Sequence, residues 1–304
     1  MPRIIIDTDP GVDDAIAILM ALAAPSLELA GLTVVGGNVP HASCLRNALA
    51  LLEYAGREDV PVFRGSSRPL SGKFPYSRRV HGRSGLSRPL PEPTVRPQPE
   101  GAVDFLATQL SARPGEMTLV ALGPLTNLAR LERQSPGSLS RAAALVIMGG
   151  AVDCPGNFTP HAEFNFYSDP RAAHEVLTCG VPLTLVDLGA TRQVAIDREA
   201  AAGLHSDHPL GRLAAQLTQD WFEVDDRRER FHFHDPLALA AALEPAVITT
   251  RQATLAVETG GAEAGGAEAG ASRVTASGGP VALADKVNVE RLFALVGGWL
   301  GWGG

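Results

Sequence analysis

The chain has 304 residues, 45% of them hydrophobic, which is enough for one large α/β domain or two small ones. Its formal net charge of −7 argues against a nucleic-acid polymer as a partner, because binding phosphates requires a positive surface. No apolar run reaches the length of a membrane span, and the amino terminus lacks the pattern of a signal peptide. With three widely spaced cysteines, we expect a reduced, cytoplasmic protein that does not contact membranes.

The first twenty residues predict a strand, a tight turn and a helix. The β-branched run at residues 4–6 is typical of a buried strand, Pro10-Gly11 of a turn, and the apolar residues 15–22 of a helix. Four carboxylates are thereby gathered at the carboxyl end of one strand: Asp7, Asp9, Asp13 and Asp14. Like charges this close are unfavourable unless some stay protonated or a cation lies among them, and oxygen ligands suit Ca²⁺ or Mg²⁺ better than Zn²⁺. Turn and helix-cap roles would explain one or two of these acids, but not all four.

Strand patterns then alternate with helix patterns along the chain. Strands are predicted at residues 29–35, 60–63, 118–122, 145–148, 183–187 and 281–289, and helices at residues 42–55, 101–112, 237–243 and 290–300. This alternation predicts an α/β fold with a single domain over residues 1–304, in which helices flank a central, mostly parallel sheet. Ligands bind beyond the carboxyl ends of the strands in such sheets, so we expect the site there.

Two segments differ from this pattern. Residues 64–96 are rich in Pro, Ser, Gly and Arg, with Glu92 as the single acid. A solvated surface loop is one interpretation of this basic segment, and a lid over a ligand is the other. Residues 260–270 repeat Gly, Ala and Glu, and we expect a low-complexity surface loop there.

A Gly-Pro turn and an Asp-Pro pair each have two interpretations. Gly123-Pro124 is typical of a turn that opens a helix, but the Leu122 carbonyl before it could also point at a metal. Asp235, followed by proline, is typical of an amino-terminal helix cap, and so is Asp169. We assign no chemistry to Asp169, and the local pattern alone leaves the role of Asp235 open.

Polar groups also follow the predicted strand at residues 145–148. Two glycines end this strand, and glycines let a ligand approach the backbone closely. Amides and a carboxylate come next: Asn157, Glu163 and Asn165. These groups suit a polyhydroxylated ligand, because each hydroxyl both donates and accepts a hydrogen bond.

The motif at the end of the first strand resembles the amino-terminal signature of the nucleoside hydrolases, the inosine-uridine-preferring N-ribohydrolase family. The motif reads Asp7-Thr8-Asp9-Pro10-Gly11-Val12-Asp13-Asp14, and the later stretches follow in the family's order to about residue 245. The resemblance implies a homodimer or homotetramer that uses Ca²⁺ to hydrolyse the N-glycosidic bond of ribonucleosides to ribose and free base. It departs at the Gly-Ala-Glu repeat, where relatives usually carry a strand-rich segment.

The resemblance also implies roles for particular residues. The implied calcium ligands are Asp9, Asp14, the Leu122 carbonyl and Asp235. The implied catalytic residues are Asp9, as general base, and His234, which could donate a proton to the departing base near neutral pH. The implied substrate contacts are Asp13, Asn38, His81, Met148, Asn157, Glu163 and Asn165, with His81 near the base and Asp7 supporting the metal site. A carboxylate at Glu163, near the 5′-hydroxyl, should repel a 5′-phosphate and favour nucleosides over nucleotides.

The sequence does not decide which base is preferred, so pyrimidine, purine and broad specificity all stay open. We expect the base pocket to form from residues 221–233 and the segment around His81. One alternative is a haloacid-dehalogenase-like Mg²⁺ phosphatase with Asp7 as nucleophile, but lysine is scarce and the continuation after Asp9 does not fit. The other is a non-catalytic nucleoside or pentose receptor, which turnover measurements would distinguish.

Overall fold

The computed structural model describes residues 2–25, 27–260 and 268–302. It begins as the sequence predicts, with strand β1 (Arg3–Thr8), a turn, and helix α1 (Val12–Ala23). Ile4, Ile5 and Ile6 of β1 are fully buried, so the apolar run that predicted the strand lies in the middle of the protein.

The remaining elements alternate in the manner expected of βαβ units. The further strands are β2 (Glu28–Val34), β3 (Val62–Arg64), β4 (Met117–Ala121), β5 (Ala144–Met148), β6 (Leu183–Val186), β7 (Ala195–Asp197), β8 (Arg230–His232), β9 (Ile248–Val257), β10 (Ser272–Val274) and β11 (Gly279–Val287). The further helices are α2 (His41–Tyr54), α3 (Arg78–His81), α4 (Ala102–Ala112), α5 (Thr126–Gln134), α6 (Phe164–Ser168), α7 (Pro170–Thr178), α8 (Leu188–Thr191), α9 (Arg198–Ala202), α10 (Pro209–Glu223), α11 (His234–Leu243) and α12 (Val289–Leu300).

Nine strands form one sheet in the order β10-β9-β11-β6-β5-β4-β1-β2-β3. Every neighbouring pair from β11 to β3 is parallel, whereas β9 runs antiparallel to β10 and to β11. Strands β7 and β8 pair separately as a two-stranded antiparallel sheet. The predicted α/β fold, with a mostly parallel central sheet flanked by helices, is confirmed.

Helices cover both faces of the sheet because successive side chains of a strand point to opposite sides. Ile4 and Ile6 belong to a core shared with α1, α2, α10, α11 and α12. Ile5 belongs to a second core shared with α4, α5 and α7. The carboxyl edge of the parallel strands therefore remains the place where polar side chains can meet.

The carboxyl-terminal part of the chain is richer in strands than the sequence indicated. The repeat at residues 260–270 suggested that the strand-rich segment of relatives is missing, but β9 ends shortly before the repeat and β10 and β11 follow it. Residues 261–267 of the repeat lie outside the described residues, so the expected loop there stays a prediction.

The basic segment at residues 64–96 is fixed to the body of the protein at several points. Its backbone N–H groups at Ser66 and Leu70 donate to the side chains of Asn127 and Asp169, each at 2.8 Å. The N–H of Ser77, just before α3, donates to the carbonyl of Asn38 at 2.8 Å. These contacts hold α3 beside the carboxyl edge of the sheet, and whether the segment moves as a lid stays a prediction.

Candidate active site

Four adjacent strands deliver the predicted site residues to one place. Strands β5, β4, β1 and β2 are neighbours, and the residues at or just beyond their carboxyl ends include Met148, Leu122, Asp9 and Asn38. They adjoin a cavity of about 230 Å³. The cavity is lined by Asp13, Asp14, Asn38, Ser77, Val80, His81, Leu122, Met148, Asn157, Phe158, Glu163, Phe164, Asn165, His234 and Asp235.

All but one of the predicted site residues therefore line a single cavity. The exception is Asp9, which is fully buried directly beside it. The sequence analysis missed four lining residues: Ser77, Val80, Phe158 and Phe164. Their only sequence signal is position: Ser77 and Val80 lie just before His81 in the basic segment, Phe158 follows Asn157, and Phe164 follows Glu163.

Three carboxylates that line the cavity lie close together. Oxygens of Asp13, Asp14 and Asp235 all lie within 4.8 Å of one another. Asp13 belongs to this group although the resemblance implied only a ribose contact for it, and Asp9 lies outside the group. Asp235 is not a helix cap, because α11 begins at His234 and no side chain caps it. Asp169, in contrast, does cap α7 by accepting from the N–H of Ala172, as predicted.

Asp14 is held rigidly by four donors. Its Oδ1 accepts from the Thr8 hydroxyl at 2.5 Å and from the Asp9 N–H at 3.2 Å. Its Oδ2 accepts from the Gly11 N–H at 2.9 Å and from Asn38 Nδ2 at 3.1 Å. Because Asp14 lies in the first turn of α1, this carboxylate both completes the helix start and faces the cavity.

Asp9 is enclosed so tightly that the two neighbouring positions, 37 and 123, accommodate only glycine. The backbone N–H of Asn38 donates to Asp9 Oδ2 at 2.6 Å, whereas Oδ1 is buried with no hydrogen-bond partner among the described residues. A Cβ added at Gly123 would lie 2.5 Å from Oδ1, and one added at Gly37 would clash with Oδ2. One oxygen of this carboxylate is therefore anchored and the other has no protein donor.

The carboxyl groups of this cluster resist ionisation. Burial, reinforced by the neighbouring carboxylates, raises the pKa of Asp9 and that of Asp235 well above the usual range. Burial also raises the pKa of Asp13 to about 6 and that of Asp7 to about 7. A divalent cation would offset this repulsion, and the unpartnered oxygens of Asp9 and Asp13 are ligands that such an ion prefers. The donor set therefore fits a hard divalent cation.

The Leu122 carbonyl has a protein donor of its own. Asn165 Nδ2 donates to it at 2.7 Å and lies 3.5 Å from the Met148 sulfur. A carbonyl oxygen has two lone pairs, so this bond leaves one for another partner. The contact also fixes the amide of Asn165 between β4 and β5.

Glu163 is buried and lines the same cavity as the acidic cluster. It caps α6, with Oε1 accepting from the Asn165 N–H at 2.8 Å and Oε2 from the N–H groups of Phe166 and Gly150 at 3.1 and 3.0 Å. Burial nevertheless raises the pKa of this carboxyl to about 7. Asn157 is oriented by the Phe164 N–H, which donates to its Oδ1 at 2.9 Å. Backbone N–H groups therefore hold both side chains in defined orientations in the cavity wall.

Two histidines of the cavity are neutral near pH 7. His81 Nδ1 accepts from the Val12 N–H at 3.1 Å, and burial lowers its pKa to about 4. His234 Nδ1 lies 2.7 Å from the Thr191 hydroxyl, and burial, together with nearby His232 and Arg192, lowers its pKa to about 3. The sequence led us to expect a histidine that donates a proton near neutral pH. Burial instead leaves His234 with a single N–H to offer.

A second cavity of about 670 Å³ adjoins the first. It is lined partly by residues 75–80, around α3, and partly by Trp221, Asp225 and Arg228. These are the two segments from which we expect the base pocket to form, and that role stays a prediction. The Arg228 guanidinium lies over the Trp221 ring, 4.3 Å from its centroid, and donates to the carbonyl of Arg79 at 2.6 Å. Arg228 therefore links the two sides of this cavity.

Comparison with known proteins identifies the family. A sequence model of the inosine-uridine preferring nucleoside hydrolases matches residues 4–294. The chain belongs to this family. A nucleoside hydrolase breaks the N-glycosidic bond of ribonucleosides, so the phosphatase and the receptor considered from the sequence are both set aside.

The nucleoside hydrolase is similar in sequence to named relatives over most of its length, and similar in fold to solved structures. Uridine nucleosidase 1 of Arabidopsis thaliana is 40% identical over 267 residues, which cover 85% of this chain and 79% of that protein. The pyrimidine-specific ribonucleoside hydrolase RihA of Citrobacter koseri is 40% identical over 265 residues, covering 85% and 84%. Among solved structures, a plant nucleoside hydrolase matches with a TM-score of 0.90 and 33% identity over 98% of both chains. Within the described part of the nucleoside hydrolase, no helix is long and apolar enough to cross a bilayer.

Proposed function

We propose that this nucleoside hydrolase is Ca²⁺-dependent and prefers pyrimidine ribonucleosides, with uridine first. The calcium proposal is carried by the close group of Asp13, Asp14 and Asp235 beside an unpartnered Asp9 oxygen. The base preference is supported by two relatives, each 40% identical to this chain, that are named for uridine or pyrimidine ribonucleosides. From the family resemblance we also propose a cytoplasmic homodimer or homotetramer, with residues 1–304 as a single domain.

The proposed calcium ligands are Asp9, Asp14, Asp235 and the Leu122 carbonyl, and Asp13 lies close enough to bind either the ion or a ribose hydroxyl. A bound ion would supply positive charge that offsets the carboxylate repulsion and lowers the pKa of a nearby water. Asp14 is already oriented by its four donors, so little ordering is needed when the site fills.

In the proposed reaction Asp9 acts as the general base. The Asn38 N–H anchors Oδ2, which leaves Oδ1 to take one proton from water. The water oxygen then bonds to ribose C1′, and the C1′–N bond breaks with its electron pair passing to the base. Positive charge develops on the ribose in the transition state, and the surrounding carboxylates and amide oxygens stabilise it.

The ribose is proposed to lie between the acidic cluster and Glu163. Asp13, Asn38 and Asn165 would contact its 2′- and 3′-hydroxyls, and Met148 its ring. Asn157 and Glu163 would contact the 5′-hydroxyl. Because Glu163 is buried and its carboxylate accepts three N–H groups, a 5′-phosphate would meet a second anion there. This arrangement supports nucleosides over nucleotides.

The base is proposed to face His81 and His234. His234, being neutral, would stabilise the departing base by donating a hydrogen bond from Nε2, and the base anion would then take its proton from solvent. Such a donor acts like the N–H groups of an oxyanion hole, because it meets charge that develops only in the transition state.

The proposal is tested with a substrate panel on metal-stripped and calcium-loaded enzyme. We expect chelated enzyme to be inactive, Ca²⁺ to restore hydrolysis, and kcat/KM to be highest for uridine when uridine, cytidine, inosine and adenosine are compared. Full activity in excess chelator would refute the metal dependence. A preference for inosine over uridine of about tenfold or more, a discrimination that one pocket contact can supply, would refute the base preference.

A further inference from the structure

Thr191 contacts His234, and this contact has no role in the reaction proposed above. Thr191 is the last residue of α8 and is fully buried. Its hydroxyl oxygen lies 2.7 Å from His234 Nδ1. The two residues come from different elements, so the contact exists only because α8 and α11 pack together.

The hydroxyl of Thr191 is used differently from those of Thr178 and Thr218, which also lie in helices. In α7 and α10, Thr178 and Thr218 donate to the carbonyls of His174 and Ala214, four residues earlier. Thr191 makes no such bond in the described structure, and His234 Nδ1 is the partner of its hydroxyl. A buried hydroxyl proton without an acceptor is costly, so donation from Thr191 to Nδ1 is the arrangement that leaves its proton paired within the described structure.

This direction determines the tautomer of the imidazole. A ring that accepts at Nδ1 has its lone pair on that nitrogen, so its hydrogen is on Nε2. His234 lines the first cavity, and Nε2 makes no hydrogen bond to the described residues. The ring plane is fixed as well, because the His232 ring lies nearly parallel to it, with centroids 5.4 Å apart and an interplanar angle of 26°. The Nε2–H is therefore presented to the cavity in one orientation.

We propose that Thr191 is a positioning residue that holds His234 in the Nε2–H tautomer, so that this N–H donates to the departing base. The inference rests on the proposed role of His234 at the base end of the site. Without Thr191 the ring can place its hydrogen on Nδ1, and a ring in that tautomer offers a lone pair where the base needs a donor.

The test compares three variants on two substrates. Thr191→Val removes the hydroxyl at nearly constant volume, and Thr191→Ser retains it. Thr218→Val is the matched control, because it removes another fully buried helical hydroxyl that lies outside the cavity. With uridine, Thr191→Val should lower kcat roughly tenfold, the loss expected for one oriented hydrogen bond, with little change in KM. With 4-nitrophenyl riboside, whose leaving group needs no donor, the rate should stay within about twofold.

A second measurement reads the tautomer directly. In enzyme with ¹⁵N-labelled histidine, the His234 signals are assigned by their loss in His234→Gln. We expect a pyridine-like Nδ1 and a pyrrole-like Nε2 in the wild type, in Thr191→Ser and in Thr218→Val. In Thr191→Val both nitrogens should shift towards each other as the tautomers mix.

Each other outcome has a distinct meaning. If the wild type is active, two results would overturn the inference. One is an equal loss of kcat on both substrates in Thr191→Val, and the other is unchanged ¹⁵N shifts in that variant. A wild-type enzyme that hydrolyses no nucleoside would overturn the proposed function instead. In that case the ¹⁵N shifts would still report whether Thr191 sets the tautomer.

Discussion

Asp7 provides a sharp test of how burial acts in this site. Its Oδ1 accepts from the Thr33 hydroxyl at 2.5 Å and from Asn127 Nδ2 at 2.7 Å, whereas Oδ2 is buried without a partner among the described residues. Asp7 is only 3% exposed, and burial raises its pKa from 3.8 to about 7. Asp7→Asn keeps the oxygen that accepts both hydrogen bonds and removes the charge.

The raised pKa of Asp7 determines whether this carboxyl group stabilises or destabilises the fold at a given pH. The folded state holds the proton of Asp7 more tightly than the unfolded chain, so this group favours folding below about pH 4 and loses that contribution as the pH rises through about 7. A pKa difference of one unit corresponds to about 1.4 kcal/mol of free energy. Relative to the protonated group, ionisation of Asp7 lowers the free energy of unfolding by about 4 kcal/mol at pH 8 and by about 1.5 kcal/mol at pH 5. Relative to wild type, Asp7→Asn should therefore gain about 2.5 kcal/mol between these pH values.

The assay is urea unfolding of chelated enzyme at pH 5, 6, 7 and 8, followed by circular dichroism. The other carboxyl groups of the cluster titrate in both proteins, so their contribution largely cancels in the difference between variant and wild type. Asp207→Asn, at an exposed position, is the control for replacing one aspartate by asparagine. A flat difference for Asp7→Asn would refute the reasoning, because it would mean that burial does not penalise this carboxylate.

Three further predictions concern the reaction. Asp9→Asn should lower kcat on uridine by about 10²–10⁴-fold while circular dichroism shows an intact fold, since a positioned base contributes that much; a variant near wild-type rate would exclude Asp9 as the base. His234→Ala should lower the rate on uridine by about 10²-fold, as for loss of one donor to developing charge, and do far less harm with 4-nitrophenyl riboside; equal losses would contradict a role at the leaving group. Crystals grown with Ca²⁺ should show an ion with oxygen ligands that include Asp9, Asp14 and Asp235, and an empty site would remove the calcium proposal.

Much of the fold could be predicted because its signals are local. The strand, turn and helix at the start of the chain are encoded by residues 4–22, and the observed β1 and α1 follow that pattern. The carboxyl ends of parallel strands must meet at one edge, so residues that follow predicted strands, such as Asn38 and Leu122, could be assigned to a common site without a structure.

The parts that sequence did not predict depend on packing between distant segments. Strand β9 was missed because five of its ten residues are exposed or half-buried polar residues that interrupt the apolar pattern: Thr249, Thr250, Arg251, Gln252 and Thr254. The neutral state of His234 follows from burial beneath α8, and the contact with Thr191 joins residues that no local pattern connects. Asp13 joins the acidic group because the first turn of α1 and the start of α11 happen to approach one another in three dimensions.

The acidic group also constrains when the protein can acquire an ion during its synthesis. Asp13 and Asp14 emerge from the ribosome first, whereas Asp235 lies on α11, near the other end of the chain. A nascent chain that stops before α11 contains Asp13 and Asp14 but lacks Asp235, so the three-carboxylate group is incomplete. An ion that needs all three carboxylates can therefore bind only after α11 has been synthesised and has packed against α1.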